Sequence, residues 1–283
     1  MSEFDERAVS EPVEDAASTP TWQRFDVSVD TEAALVAAQA AISAGECIVL
    51  PTDTVYGIGA TAFSPEAVSR LLAAKHRGRD MPPPVLIAEP AMLGALATSL
   101  GTWATALAEA QWPGALTLIV TAHPSLPMDL GDTGGTIAVR VPDHDFTREL
   151  LRRTGPLAVS SANTSGNPAS TSIEAAIEQL GGSVSIYLDA GPTRDDAPST
   201  IVDFSRSSVG QVVREGAISL ETLREVAPHV VGIPILADEA DADDPDADET
   251  NADDAPDPST GSPEGESDGS DTGTTVPSSP DTE

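Results

Sequence analysis

Lys75, Arg77 and Arg79 put three cations within five positions of a chain whose formal charge is −32. Lys75 is the only lysine in the sequence. A lysine supplies a point charge and an arginine a planar two-pronged fork, a pairing suited to phosphate or carboxylate. The same cations would also suit a solvated helix C-terminus, where positive charge meets the negative end of the helix dipole. Four further segments could deliver polar groups to one place. Thr52, Asp53 and Thr54 precede Tyr56 and Gly57: hydroxyls and a carboxylate to orient a small polar ligand, a phenol, and a glycine that lets a backbone come close. Thr136 and Arg140 stand four apart in a strand-like run and so share a face. Ser161 and Asn163 open a polar loop that can line an anion site with hydroxyls, an amide and free N–H groups. Ser199 begins one strand-like run and Arg214 ends the next. Taken singly, each segment also fits an ordinary turn, an exposed loop or a surface salt bridge.

The elements that must position these groups are legible in outline. Ser64 can cap a helix with Pro65 at its first position and Val68, Leu71 and Leu72 on one face. That helix runs from about Pro65 to Lys75, Gly78 bars its continuation, and Pro82-Pro83-Pro84 holds the chain extended beyond it. Asp30 or Thr31 caps an earlier helix that Gly45 ends, Asp143 caps one that ends near Arg153, and Ser219 caps a short last one. Helical segments are also expected around 91–100, 102–111 and from Ile173 to Leu180. Strands are expected over 47–50, 85–87, 116–120, 136–141, 157–160, 185–188, 200–204 and 209–213. Interleaved helices and strands, with several strands in succession late in the chain, indicate an α/β or α+β domain with a mixed sheet.

Composition divides the chain. Residues 1–20 form an acidic head and 229–283 an acidic, low-complexity tail. Between Asp238 and Glu283 there are 17 acidic residues and no Lys or Arg, too little apolar surface to offset the entropy of ordering. Residues 21–228 are long enough for one core. The negative balance disfavours general binding to nucleic-acid backbones but leaves room for a small anion in a local cationic pocket. A single cysteine, Cys47, excludes an internal disulfide and falls in an apolar run, so it is expected to be inert. No apolar run reaches membrane-spanning length and the N-terminus does not resemble a signal peptide, so a cytoplasmic protein with no membrane partner is expected. The four histidines are scattered without a Cys/His cluster, and neither common phosphate-binding glycine loop nor a serine-hydrolase elbow is present.

Taken together, the segments resemble the YrdC-like family of threonylcarbamoyl-AMP synthases in its short form. Pro51 to Gly57 resembles the family's opening motif, and Lys75-His76-Arg77 with Ser161-Ala162-Asn163 its Lys-x-Arg and Ser-x-Asn signature. Thr136 to Pro142, Ser199 to Asp203 and Arg214 to Gly216 follow in the same order. The resemblance covers about residues 28–226. It implies a single domain with a twisted mixed parallel and antiparallel sheet, surrounding helices and a large concave cavity. The implied reaction joins L-threonine, bicarbonate or CO2 and ATP, with Mg2+, into L-threonylcarbamoyl-AMP and diphosphate. The product would serve threonylcarbamoyl-transferase proteins that modify adenosine 37 of tRNA, with weak direct tRNA contact as a further partner reading. It assigns Lys75 and Arg77 to catalysis, and Arg77, Thr136, Ser161, Asn163 and Arg214 to ATP. It assigns Thr54, Arg140 and Ser199 to L-threonine, with Thr52, Asp53 and Tyr56 as further pocket residues, and it names no protein ligand for a metal.

Two departures stand out. Met81 to Ile87 lacks a histidine that relatives often carry there, and Val159 replaces a threonine found in some. Competing readings are a non-catalytic tRNA- or double-stranded-RNA-binding protein of the same fold, a carbamoyl-adenylate domain of hydrogenase maturation, and a purely structural interaction protein.

Overall fold

The computed structural model describes residues 21–194 and 196–233. The elements in chain order are β1 (Gln23–Asp26), α1 (Thr31–Ser43), β2 (Ile48–Leu50), β3 (Gly57–Thr61), α2 (Pro65–Ala74) and β4 (Val85–Leu86). They continue with α3 (Leu93–Leu96), α4 (Thr102–Gln111), β5 (Leu116–Thr121), β6 (Thr136–Arg140), α5 (Asp145–Thr154) and β7 (Leu157–Ser161). Last come α6 (Ile173–Leu180), β8 (Ile186–Asp189), β9 (Thr200–Asp203), β10 (Gln211–Arg214) and α7 (Leu220–Val226).

The strands form one ten-stranded mixed sheet in the order β1-β8-β2-β3-β7-β4-β6-β5-β9-β10. Alternation along the strands divides the core between its two faces. Ile48 and Leu50 of β2 pack with Leu35, Ala38 and Ile42 of α1 and with Leu150 and Leu151 of α5. Val49 between them points the other way, into a larger cluster with Val68 and Leu71 of α2, Leu107 of α4, Ala176 of α6 and Leu223 of α7. Each such aliphatic side chain contributes roughly 1.5–3 kcal/mol by leaving water, and this two-sided core fixes the strand ends that carry the polar segments.

Several local expectations hold, and others are corrected. Ser64 and Ser219 cap as expected, their hydroxyls accepting from Ala67 and Thr222 N–H. Cys47 is buried beside β2, and burial pushes its thiol up to about 11. Helix α2 also runs as expected, over Pro65–Ala74, and ends before Gly78 is reached. Lys75 is its C-cap and His76 takes the left-handed conformation, with φ 52°. His144, not Asp143, caps α5, its Nδ1 accepting from Thr147 N–H at 3.4 Å. Asp143 instead donates its own N–H to Asp53. The helix expected over 91–100 is only the single turn of α3 after a short 3-10 turn.

Strands β1 and β3 were not among those expected. The polar sequence of β1 marks an edge strand, paired to β8 alone. In β3, Gly57 and Gly59 break the usual strand composition because a Cβ there would come within 2.6 Å of Val159 and 2.8 Å of Leu50. The packed chain also extends past residue 228: Val230 is buried, and Val231 exchanges backbone hydrogen bonds with Gly210 and Val212. The expected acidic head, and the tail from residue 234, lie outside the described residues.

Candidate functional site

The polar segments meet at one cavity of about 490 Å³, lined by Thr52, Thr54 and Tyr56, by Arg77, Thr136 and Arg140, by Ser161 and Asn163, and by Ser199 and Arg214. The tight β2–β3 connection, the end of α2, strand β6, the end of β7 and the starts and ends of β9 and β10 each supply part of it. Ten of the twelve residues singled out from sequence line the space; Lys75 and Asp53 lie behind it.

Arg140 is 6% exposed, and each of its three nitrogens makes one hydrogen bond to the protein. Its Nε donates to Gly114 O at 3.0 Å, Nη1 to Thr54 Oγ1 at 3.0 Å and Nη2 to Asp53 Oδ1 at 2.7 Å. Asp53 Oδ1 also accepts the Asp143 N–H at 3.0 Å. Asp53 thus aims the guanidinium from the rear. Burial lowers the Arg140 pKa, and Asp53 opposes that shift. Thr52 holds the approach by donating to Val55 O at 2.6 Å and meeting Thr54 Oγ1 at 3.0 Å.

The other two arginines have no carboxylate within salt-bridge distance among the described residues. Arg77 Nη1 donates to Ser160 Oγ at 3.1 Å, while its Nε is buried without a partner among the described residues. Arg214 donates through Nε and Nη2 to Ser199 O and through Nη2 to Ser199 Oγ. Burial lowers the pKa of both; for Arg214, repulsion from Arg140 and then Arg77 adds to it. Three guanidinium groups therefore share one field; Asp53 pairs with Arg140, and Asp80 acts on Arg77 through its charge without an ion-pair contact. An anion entering this cavity would satisfy charge that the protein leaves open.

Two expected contacts are committed to the protein itself. Tyr56 lines the cavity, but its hydroxyl donates to Gly191 O at 2.6 Å and accepts from Ala190 N–H at 3.0 Å, anchoring the segment that leads to Ser199. Burial is the main cause that pushes this phenol up to about 12. Lys75 is 2% exposed and does not line the cavity. Burial, with Arg77 second, pushes its ammonium down to about 8.

The Lys75 shift has a stability signature. An unfolded lysine titrates near 10.4, so between the two values the unfolded chain holds a proton that the folded chain has lost. Stability from this group then rises with pH, by at most about 1.4 kcal/mol per pH unit. Wild type is expected to gain on Lys75→Met as pH climbs from about 8 towards 10. Paired urea titrations would show it; parallel stability curves for the two proteins would contradict it.

Comparison with known proteins agrees with this geometry. The family model for the Sua5, YciO and YrdC proteins, described as telomere recombination, matches residues 40–216. The chain belongs to this family. A Mycobacterium tuberculosis relative, provisionally named a threonylcarbamoyl-AMP synthase, is 50% identical over 192 residues, covering 68% of this chain and 88% of that protein. The threonylcarbamoyl-AMP synthase of Pyrococcus abyssi is 36% identical over 188 residues, covering 65% of this chain and 54% of its own length. The crystal structure of P. abyssi Sua5 complexed with L-threonine superposes with a TM-score of 0.67 at 33% identity, covering 71% of this chain and 59% of that one.

Within this Sua5/YciO/YrdC domain the structure adds residues that sequence reasoning passed over. Thr117 is 1% exposed and its hydroxyl meets Ser199 Oγ at 2.9 Å. A lone polar residue in the apolar run 116–120 was the available signal. Ser160 receives Arg77, and Gly114 receives Arg140. Met81, Pro82, Pro83, Pro84 and Leu86 form an apolar wall across the segment that lacks a histidine, and Val159 also faces the cavity. Gly216 makes the Ser199 turn possible: a Cβ there would lie 2.1 Å from Pro198 O and 2.7 Å from the Ser199 carbonyl carbon. Gly216→Ala is therefore expected to cost about 1–3 kcal/mol in urea unfolding. Because it displaces Ser199, it should also raise the KM for any substrate that reaches that side of the cavity.

Proposed function

We propose that this chain is an L-threonylcarbamoyl-AMP synthase that uses L-threonine, CO2 or bicarbonate, and MgATP. The observation that carries the reading is the convergence of Arg77, Arg140 and Arg214 on one cavity with Asp53 as the nearby counter-charge. The threonine-bound relative and the synthase names of the curated relatives support it over non-catalytic RNA binding.

The threonine amine, having shed its proton, adds to CO2 and forms a carbamate. A carbamate oxygen then attacks the α-phosphorus of ATP. The bond from that phosphorus to the oxygen bridging to the β-phosphate breaks, and diphosphate leaves with the electron pair. Both reactants are anionic, so bringing them into line is the main barrier that the protein can lower. Arg140, fixed by Asp53 and Thr54, is placed to hold the threonine carboxylate, with Ser199 near it. Arg77, Ser161 and Arg214 are placed to hold phosphate oxygens, and Thr136 stands on the nucleotide side. No protein nucleophile is required. The product is an activated mixed anhydride, suited to a threonylcarbamoyl-transferase acting on tRNA adenosine 37.

The deciding assay combines purified protein, MgATP and bicarbonate with and without L-threonine. It follows diphosphate release and identifies the adduct by mass spectrometry. Threonine-dependent diphosphate together with the adduct is the expected result. A folded protein that gives neither would overturn the assignment, and salt-sensitive RNA binding without turnover would favour the other reading.

A further inference from the structure

The Lys-x-Arg and Ser-x-Asn signature contains four polar side chains, and the structure does not use them alike. Arg77 lines the cavity; Lys75, two residues earlier, does not. The turn between them explains the divergence. His76 is left-handed, its N–H returning to Ala73 O at 3.0 Å and the Arg77 N–H to Leu72 O at 2.9 Å. This helix-ending turn keeps Lys75 under the end of α2 while Arg77 passes into the site.

The hydrogen bonds of Lys75 are complete. An ammonium has three donors and no acceptor. Lys75 Nζ lies 2.5 Å from Ser161 O, 2.7 Å from Asn163 O and 3.3 Å from Asn163 Oδ1. Its backbone carbonyl accepts the Ser165 N–H at 2.8 Å, so Lys75 grips the loop after β7 at both its ends. The Asn163 amide is equally committed: besides meeting Lys75, its Nδ2 donates to Thr164 O at 2.9 Å and Asn167 O at 2.8 Å. Turning Lys75 towards a phosphate would strip a buried carbonyl of its partner, which costs more than an exchange between equivalent bonds.

We infer that Lys75 and Asn163 form a clamp that positions the Ser161 end of β7, and that substrate anions are met by Arg77 and Ser161 rather than by the lysine. Lys75 is then a positioning residue. The inference rests on the synthase reading for its catalytic consequence, although the clamp itself is a property of the free protein.

The test uses the full chain without ligand. Amide hydrogen exchange over residues 161–168 is measured for wild type, Lys75→Met, Asn163→Ala, the double variant and Arg77→Met, with diphosphate-release kinetics alongside. Lys75→Met and Asn163→Ala should each speed exchange in that segment at least about tenfold, whereas Arg77→Met leaves it unchanged. In turnover the two clamp substitutions should be strongly non-additive, because removing either opens the same loop. The clamp variants should lower kcat with little change in the KM for ATP, whereas Arg77→Met raises that KM as well as lowering turnover. Unaltered exchange in Lys75→Met together with a raised KM for ATP would overturn the inference and restore a direct phosphate contact. Multiplicative losses in the double variant would do the same. If Lys75→Met does not fold, Asn163→Ala, which keeps the lysine, carries the exchange test. Failure of wild type to release threonine-dependent diphosphate would remove the synthase reading alone, because exchange reports the clamp without catalysis.

Discussion

Arg140→Lys is expected to reduce threonine-dependent diphosphate release by about a thousandfold, the scale of losing an oriented charge clamp at a reacting centre. The substitution retains a positive charge opposite Asp53. It loses the fixed fork that satisfies Gly114, Thr54 and Asp53 at once. An ammonium on a flexible stem cannot hold a carboxylate in two-point register. Arg140→Met goes further, because the Asp53 carboxylate, whose side chain is 14% exposed, then has no cation. Removing one partner of such a buried pair costs about 3–5 kcal/mol. Urea unfolding should therefore separate the two variants, with lysine mildly and methionine severely destabilised, while both lose turnover. Near-normal turnover in Arg140→Lys would remove Arg140 from substrate binding.

Arg77→Met should move activity and stability in opposite directions. Turnover is expected to fall by about a hundredfold or more, comparable to losing one preorganised donor to a developing charge. Stability is expected to hold or to rise by about 1 kcal/mol, because the substitution removes a buried N–H that has no acceptor, and a guanidinium that has no ion-pair partner, among the described residues. Diphosphate should raise the Tm of wild type by binding the folded state alone, and that increment should shrink in the variant. Measured by thermal melts with and without diphosphate, an unchanged increment would place the anion elsewhere. A large destabilisation of Arg77→Met would show that Arg77 is a structural residue rather than an anion receiver.

Legibility from sequence followed how local the causes were. Ser64 with Pro65, and Ser219, cap helices through bonds to residues three positions away, so the pattern alone sufficed. The apolar strands β2, β5 and β7 were visible for the same reason. Strand β3 was hidden because its glycines answer to Val159 and Leu50, distant in the chain. The end of α2 near Lys75 was legible, but its device was not, because His76 adopts a conformation that composition assigns to glycine. Among the candidate site residues, type and order picked out Thr54, Arg140, Ser161, Ser199 and Arg214, which line one cavity. What sequence could not supply was the hydrogen-bond ledger. It could not say that Tyr56 is bound to Gly191, that Asp53 works behind Arg140, or that Lys75 spends its donors on carbonyls.

The solitary lysine has a practical chemical consequence. Acylating reagents such as N-hydroxysuccinimide esters need an accessible, unprotonated amine. The one side-chain amine of this protein is 2% exposed. In the folded state it is shielded, and it becomes reactive when the end of α2 or the loop after β7 opens. A single added label mass at Lys75 therefore counts opening events at this corner of the molecule, one residue at a time, against a surface that offers no competing side-chain amine.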